Sequence, residues 1–222
     1  MSIKAFLIGE LEVREFALGP AVTNAYLVGD PESKLAVVID PAWNGELINA
    51  EAVRQGWRIH QIWLTHAHFD HFGGAGAISD AAPSAIPVAL HADDHSLWRM
   101  GGGASAFGIT DFDSGPEPTV YLEHGMKLSL GTHEFEVRHT PGHSPGHVIL
   151  TYQQGGAVFC GDLIFRGSVG RTDLPGGDMQ TLLSSIQQEV LTLPDEAQLL
   201  VGHGPATSVG VERRTNPFLS GI

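Results

Sequence analysis

Cysteine, basic side chains and long apolar runs are all scarce in this sequence. One cysteine, Cys160, occurs in 222 residues, which excludes a disulfide framework and suits a reducing compartment. Lys and Arg number 12 against 25 Asp and Glu, for a formal net charge of −13, so nucleic acids and anionic membranes would be repelled. No segment approaches the ~20 apolar residues of a membrane span, and the N-terminus shows no signal peptide. We therefore expect a cytoplasmic protein of one domain, residues 1–222, without nucleic-acid or membrane partners; its oligomeric state stays open.

Short apolar segments alternate with helical ones along the chain. Residues 35–39 are apolar almost throughout, which predicts a strand buried on both faces. Residues 179–190 have helical spacing, with Asp178 as the N-cap. Residues 101–118 are rich in Gly and predict a long loop. Three aromatic residues border this loop and would either line a cleft or pack in the core: Trp98, Phe107 and Phe112.

Histidine, in contrast, is plentiful, with 12 in the chain, and four metal-competent side chains follow a predicted strand at 59–64. They are His66, His68, Asp70 and His71. Three more candidates each lie where a predicted strand gives way to a loop, namely His143, Asp162 and His203. Imidazole and carboxylate ligands suit zinc, iron or manganese. Seven candidates exceed what one tetrahedral ion needs, so we expect two divalent ions, with zinc as the first choice.

In these motifs the chain resembles the metallo-β-lactamase superfamily. The signature HxHxDH is matched here by residues 66–71, and the separated His, Asp and His by His143, Asp162 and His203. Residues 161–173 and 212–219 extend the resemblance to the glyoxalase II branch, in particular to its short, single-domain hydroxyacylglutathione hydrolase-like members. The resemblance implies an α+β fold, a four-layer αββα sandwich of two mixed β-sheets with helices on the outer faces and the site at one edge.

The resemblance also implies how the side chains share two ions. One ion would be held by His66, His68 and His143, the other by Asp70, His71 and His203, and Asp162 would bridge them. Asp40 matches the first acidic motif of the family, which orients a ligand or its loop. A turn or helix-cap role is the alternative for Asp40.

The implied activity is that of a binuclear metallohydrolase. A metal-bridging hydroxide, oriented by Asp70, would attack the carbonyl of a small-molecule thioester such as S-lactoylglutathione. A thiolate leaves well, which makes thioesters suitable substrates. Arg171 lies where the family places basic residues near the substrate carboxylate; a salt bridge to Asp173 or Asp178 is its alternative.

Other activities stay open. Full-length glyoxalase II enzymes carry a C-terminal helical extension for glutathione, and we expect it to be missing here. A mononuclear iron persulfide dioxygenase on the same fold would need only His66, His143 and Asp162. A non-catalytic metal-binding module is the second alternative. β-Lactam hydrolysis is disfavoured because the sequence shows no secretion signal.

Several other polar residues receive structural interpretations. His147 repeats the Pro-Gly-His pattern of the His143 loop but begins a predicted strand, which favours a supporting role. His91 and His95 flank Asp93 and Asp94 at helical spacing and could chelate an ion. The pattern favours a solvated acidic helix face.

Overall fold

The computed structural model describes residues 3–221 as strands and short helices. The strands are β1 (Lys4–Ile8), β2 (Leu11–Leu18), β3 (Thr23–Gly29), β4 (Leu35–Ile39), β5 (Arg58–Trp63), β6 (Val88–His91), β7 (Val120–Leu122), β8 (Lys127–Leu130), β9 (His133–His139), β10 (Val148–Tyr152), β11 (Ala157–Gly161), β12 (Ile164–Phe165), β13 (Ser168–Val169), β14 (Gln198–Val201) and β15 (Thr207–Ser208). The α-helices are α1 (Gly45–Gln55), α2 (Phe69–Phe72), α3 (Ala75–Asp80), α4 (His95–Arg99), α5 (Met179–Ser185) and α6 (Val209–Thr215). Tighter 3₁₀ turns cover Ala92–Asp94, Gly101–Phe107, Gln153–Gly155 and Pro217–Leu219.

The strands form two mixed sheets. In the first sheet β1 to β7 follow chain order, antiparallel from β1 to β4 and parallel from β4 to β7. The second sheet has the order β15-β14-β11-β10-β9-β8, in which β11 and β14 pair in parallel and the other pairs are antiparallel. Strands β12 and β13 form a separate hairpin. Both sheets therefore combine parallel and antiparallel pairing.

Alternate residues of β4 explain how the sheets pack. Val37 and Ile39 belong to the apolar cluster between the two sheets, while Val38 belongs to the cluster on the outer face of the first sheet. That outer cluster includes Ile48 of α1, and a third cluster includes Leu182 of α5 on the second sheet. Three apolar clusters separate four layers. The predicted αββα sandwich and the doubly buried strand at 35–39 are both confirmed.

The helix predicted for 179–190 is present but changes its winding. Asp178 caps it as predicted, because its carboxylate accepts a hydrogen bond from the Thr181 N–H at 2.7 Å. The helix is α-helical to Ser185, and the wider turns of a π-helix continue from Ile186 to Val190. Within residues 3–221, no helix combines the length and apolarity needed to cross a bilayer.

The 212–219 passage holds the β12–β13 hairpin against α6. Glu212 is fully buried, and its carboxylate accepts hydrogen bonds from Thr207 Oγ1 at 2.5 Å and from the Gly167 N–H at 2.8 Å. Asn216 donates from Nδ2 to Glu212 at 2.9 Å and to the Ser168 carbonyl at 2.9 Å. A buried carboxylate with several donors is expensive to disrupt. This passage therefore has a structural role.

Substitution of Phe135 by Ala tests the packing between the sheets. Its side chain is 0% exposed, with ring centroids 5.1 Å from Trp63 and 4.8 Å from Tyr152. We expect the cavity to lower the free energy of unfolding by about 3–5 kcal/mol in urea denaturation of the metal-free protein. Phe218→Ala, at a side chain that is 45% exposed, is the matched control and should change it by less than about 1 kcal/mol. Equal effects of the two substitutions would contradict the layer assignment.

Candidate metal centre

The seven predicted ligands come from four loops at one edge of the two sheets. The stretch after β5 carries the first four, and α2 begins within it at Phe69. Asp70 and His71 therefore lie on the first helical turn of α2. His143 lies between β9 and β10, Asp162 follows β11 and His203 follows β14.

Three imidazoles form a first cluster. Nε2 of His143 lies 2.8 Å from Nδ1 of His68 and 3.2 Å from Nε2 of His66. All three side chains are buried. Their nitrogens converge on one point, as ligands of a single ion do, although they come from positions far apart in the chain.

A second cluster combines Asp70, His71 and His203, whose ligand atoms lie within 4.8 Å of one another. Oδ2 of Asp70 is 3.3 Å from Nε2 of His203 and 3.6 Å from Nε2 of His71. Thr23 Oγ1 donates a hydrogen bond to the same carboxylate oxygen at 2.8 Å. This cluster is closer to solvent than the first, because Asp70 and His203 are only half-buried.

Asp162 lies between the two clusters. Its carboxylate oxygens are 3.3 Å from Nε2 of His71, 3.3 Å from Nε2 of His203 and 3.7 Å from Nε2 of His143. One carboxylate thus reaches imidazoles of both sets. This is the position of a group that bridges two ions.

The donor set fits a binuclear metal site. Nε2 of His71 and Oδ1 of Asp162 are buried without a hydrogen-bond partner among the described residues. Buried polar atoms rarely lack a partner, and an ion is one of the things that supply it. The two atoms lie 3.3 Å apart without forming a hydrogen bond, and a bound ion would give each of them a partner.

The electrostatics of the two clusters differ. Burial, together with repulsion from the neighbouring imidazoles, lowers the pKa of His66 well below its usual value and that of His68 to about 3. Both rings are therefore neutral at pH 7, as metal binding requires. Burial would also lower the pKa of His203, but hydrogen bonds with Asp162 and Asp70 outweigh it and raise this pKa to about 9. The pKa of His71 is raised as well, because attraction by three carboxylates outweighs its burial.

Asp40 supports the loop after β5. Its carboxylate accepts hydrogen bonds from the Thr65 N–H at 2.8 Å, from Thr65 Oγ1 at 2.7 Å and from Nδ1 of His71 at 2.9 Å. The φ angle of Asp40 is +49°, a conformation that costs of order 1–3 kcal/mol in a residue other than Gly. The neighbouring contacts hold Asp40 in this conformation. Its contacts are those of a residue that orients His71.

Asp94 corrects the interpretation of the 91–95 segment as a solvated acidic face. It is 0% exposed, and its carboxylate accepts hydrogen bonds from the Ala67 N–H at 3.0 Å, Ser144 Oγ at 2.7 Å and the Gly146 N–H at 2.6 Å. Ala67 lies between two candidate ligands, and Ser144 follows another. Asp94 thus joins two ligand-bearing loops. Neither charge nor helical spacing identifies this role, because its partners are distant in sequence.

His147 and the backbone of Arg171 hold two further candidate ligands in place. The Asp162 N–H donates to Nε2 of His147 at 3.1 Å, and Nδ1 of His147 faces Thr140 Oγ1 at 2.9 Å. His147 is fully buried, in agreement with its predicted supporting role. Nδ1 of His143 donates to the Arg171 carbonyl at 2.7 Å, which leaves Nε2 free to face the cluster.

Gly202 shows how tightly the centre is packed. A Cβ atom at this position would lie 2.1 Å from Oδ1 of Asp162. Asn24 holds the adjacent loop, because its Nδ2 donates to the carbonyls of Val201 and Gly204, each at 2.9 Å. The first sheet therefore positions His203, although β14 belongs to the second sheet.

A pocket of about 750 Å³ opens over the two clusters. Arg171 lines it, but its guanidinium forms a two-pronged salt bridge with Asp173 at 2.7 and 2.8 Å. Exposed ion pairs contribute little to stability, so this pair opens easily. Contact between Arg171 and substrate stays a prediction. The aromatic residues divide: Phe107 lines the pocket, whereas Trp98 and Phe112 pack against the core.

His91, which was predicted to flank an acidic helix face, belongs to a third group of possible metal ligands. Ligand atoms of His91, Asp93 and His139 lie within 4.8 Å of one another. The rings of His91 and His139 are stacked, however, with centroids 4.1 Å apart and planes 7° apart. Nearly parallel rings have no nearby point that lies in both planes, so this geometry does not fit one ion.

Comparison with known proteins agrees with this geometry. A family model described as the metallo-beta-lactamase superfamily matches residues 18–203. The hydroxyacylglutathione hydrolase GloC of Haemophilus influenzae is 34% identical over 89% of this chain and 92% of its own length. The solved structure of the BLEG-1 B3 metallo-beta-lactamase has a TM-score of 0.87 and 39% identity, covering 94% of this chain and all of that one. The structure of TTHA1623 in a di-iron-bound form has a TM-score of 0.83 and 45% identity, covering 92% and 99%.

Metal loading should release protons unequally from the two clusters. At pH 7 the raised pKa of His71 and that of His203, at about 9, keep both rings protonated in the metal-free protein. An ion that binds them must displace those protons, whereas His66 and His68 are already neutral. We expect His66 and His68 to release no protons and His71 and His203 to release up to two, with the share from His203 declining as the pH rises through about 9. Calorimetric titration in buffers of different ionisation enthalpy measures this, and equal release for both ions would contradict it.

Asp94→Asn tests whether Asp94 positions the ligand loops. An amide keeps the size of the carboxylate but turns an NH₂ group toward the donors of Ala67, Ser144 or Gly146. We expect metal affinity to fall about 10- to 100-fold, the usual effect of removing a group that orients ligands. Asp93→Asn is the matched control, since Asp93 is exposed next to it, and it should leave the affinity unchanged. Equal metal affinity of the two variants would remove Asp94 from the supporting set.

Proposed function

The chain belongs to the metallo-β-lactamase superfamily of metal-dependent hydrolases, and from this premise we propose that it is a binuclear hydrolase of thioesters. The observation that carries the proposal is the Asp162 carboxylate, which lies within 3.3 Å of Nε2 of His71 and of His203, and 3.7 Å from that of His143. A single ion held by His66, His143 and Asp162 would leave the approach of Asp162 to His71 and His203 without a metal to explain it.

In this proposal each cluster would hold one ion, and Asp162 would be a ligand available to both. The chemistry that two bound divalent ions supply is the acidification of a water molecule and the polarisation of a carbonyl group. Zinc is the first choice for these ligands, with iron and manganese as alternatives. The di-iron form of TTHA1623 supports iron as a real competitor.

Asp70 is the proposed catalytic carboxylate. Although burial would raise its pKa, attraction by His71 and hydrogen bonds from His203 and Thr23 lower it to about 2. Asp70 is therefore ionised at neutral pH, and it lines the pocket. An ionised carboxylate in the pocket can accept a hydrogen bond from the attacking water and so orient it, whereas its low pKa makes it a poor acceptor of the proton itself.

Thioesters are the proposed substrates because a thiolate is a good leaving group. A thiolate leaves without a proton donor, whereas an amine or an alkoxide needs one. The activity named for the GloC relative supports a glutathione thioester as the first substrate to test. The predicted role of Arg171 is to contact the substrate carboxylate from the pocket rim.

The clusters also weigh against the alternatives. A mononuclear iron persulfide dioxygenase would use His66, His143 and Asp162 alone and would leave the second cluster without purpose. A non-catalytic module would not need an open pocket of about 750 Å³ over its ions. The likeness to the BLEG-1 enzyme favours a β-lactam as the comparison substrate in any assay.

His68→Ala and Asp162→Asn test the proposal directly. Loss of a supporting partner alone typically lowers metal affinity or activity about 10- to 100-fold, so we expect these changes to lower S-lactoylglutathione turnover more than about 100-fold. Bound metal, measured by mass spectrometry, should fall as well. The control is His124→Ala, at an exposed histidine away from the pocket.

Three outcomes would contradict the proposal. The first is full turnover with full metal content in either variant. The second is one bound iron together with oxygen uptake, which would favour the dioxygenase. The third is hydrolysis of a β-lactam without hydrolysis of any thioester.

A further inference from the structure

Four large apolar residues that line the pocket, Trp43, Phe69, Phe107 and Ile109, are called its apolar wall here. Phe69 lies between His68 and Asp70 in the chain, so the wall begins at the metal centre itself. Phe107 and Ile109 extend it outward from the segment after α4. An apolar surface this close to the reacting groups will touch whatever part of the substrate lies next to the carbonyl.

The wall is an ordered aromatic cluster. The ring centroid of Phe69 lies 5.2 Å from Phe107 and 6.4 Å from Trp43. Phe112 stands behind them, 6.2 Å from Phe69 and 5.7 Å from Trp43. Edge-to-face and tilted pairs at these distances stabilise one arrangement of the rings. The wall is therefore preformed.

Gly102 fixes the distance between the wall and the metal centre. Its φ angle is +60°, and a Cβ atom there would lie 2.3 Å from the Phe69 nitrogen and 2.7 Å from the Ala67 oxygen. The turn at Gly101–Phe107 thus lies directly on the loop that carries the first ligands.

Phe107 also exposes a large apolar area to water. Its side chain is 53% exposed, although the ring contacts Phe69. Each Å² of apolar surface kept in water costs about 25 cal/mol. A substrate group seated on the wall would remove that cost, and an aromatic ring matches the cluster best.

Charge distribution decides which part of a substrate can occupy the wall. Among the described residues that line the pocket, Arg171 is the only Lys or Arg, and it is paired with Asp173. The thiol arm of a glutathione thioester carries two carboxylates, which lose hydration without compensation on an apolar surface. The acyl arm has no such groups and can lie there.

We infer that the wall of Trp43, Phe69, Phe107 and Ile109 is an acyl-binding subsite, and that the protein prefers thioesters whose acyl group carries an apolar, aromatic substituent. The inference rests on the proposed thioester hydrolysis and adds the class of substrate. The reaction remains hydrolysis of the same C–S bond by water, with release of the acid and the thiol.

A comparison of two glutathione thioesters isolates the effect of the acyl substituent. S-lactoylglutathione and S-mandeloylglutathione share the thiol, the carbonyl and the hydroxyl, and differ by a methyl against a phenyl group. Rates are divided by those of alkaline hydrolysis, which removes the intrinsic difference in reactivity. We expect kcat/KM for the mandeloyl ester to exceed that of the lactoyl ester at least about tenfold, because an apolar pocket discriminates by this much for even one methylene.

Phe107→Ala identifies the wall as the cause. In this variant the ratio of the two kcat/KM values should fall toward one, and Phe107→Leu should restore part of it. Tyr121→Ala is the control, since Tyr121 is 48% exposed but does not line the pocket. Its ratio should equal that of the unmodified protein.

The outcomes separate the two claims. Hydrolysis of the lactoyl ester without any gain for the mandeloyl ester would overturn the acyl subsite and leave thioester hydrolysis standing. A gain that persists in Phe107→Ala would overturn it too. If metal-loaded protein hydrolyses neither ester, the proposed function itself is wrong, and the subsite with it.

Discussion

Mutual attraction between the Asp162 carboxylate and imidazoles from three loops is the constraint on which the structure depends. The oxygens of Asp162 lie 3.3 Å from His71 and from His203 and 3.7 Å from His143. Side chains this close need neighbouring residues that fix their orientation and their separation. The buried Asp40, Asp94 and His147 meet that need, since each hydrogen-bonds the ligands or their loops. Many of the buried polar residues thus support the candidate metal centre at this edge of the two sheets.

The sequence predicted those structural features that depend only on residues close together in the chain. The strand at 35–39, the cap at Asp178 and the strand-end positions of the candidate ligands are local patterns, and the structure contains all three. The role of Asp94 depends on Ala67 and Gly146, which no local pattern connects to it. The paired carboxylate at 93–94 therefore predicted a solvated face, which is right for the exposed Asp93 and wrong for Asp94.

The two passages that resemble the glyoxalase II branch, residues 161–173 and 212–219, have different roles in the structure. Residues 212–219 fasten the β12–β13 hairpin through Glu212 and Asn216, so they report on the fold. Residues 161–173 contain Asp162 and Arg171, both at the pocket, so they bear on chemistry. A resemblance can thus be equally strong in two segments and carry functional information in only one of them.

The late position of β14 has a consequence for synthesis of the chain. The loop at 66–71 leaves the ribosome long before His203, and a domain generally folds as a unit. A nascent chain therefore presents the three imidazoles and the carboxylate of that loop without the partner loops that complete either cluster. Any ion captured at that stage would be held by an incomplete set of ligands. The order of strands along the chain thus makes the final choice of metal a property of the finished protein.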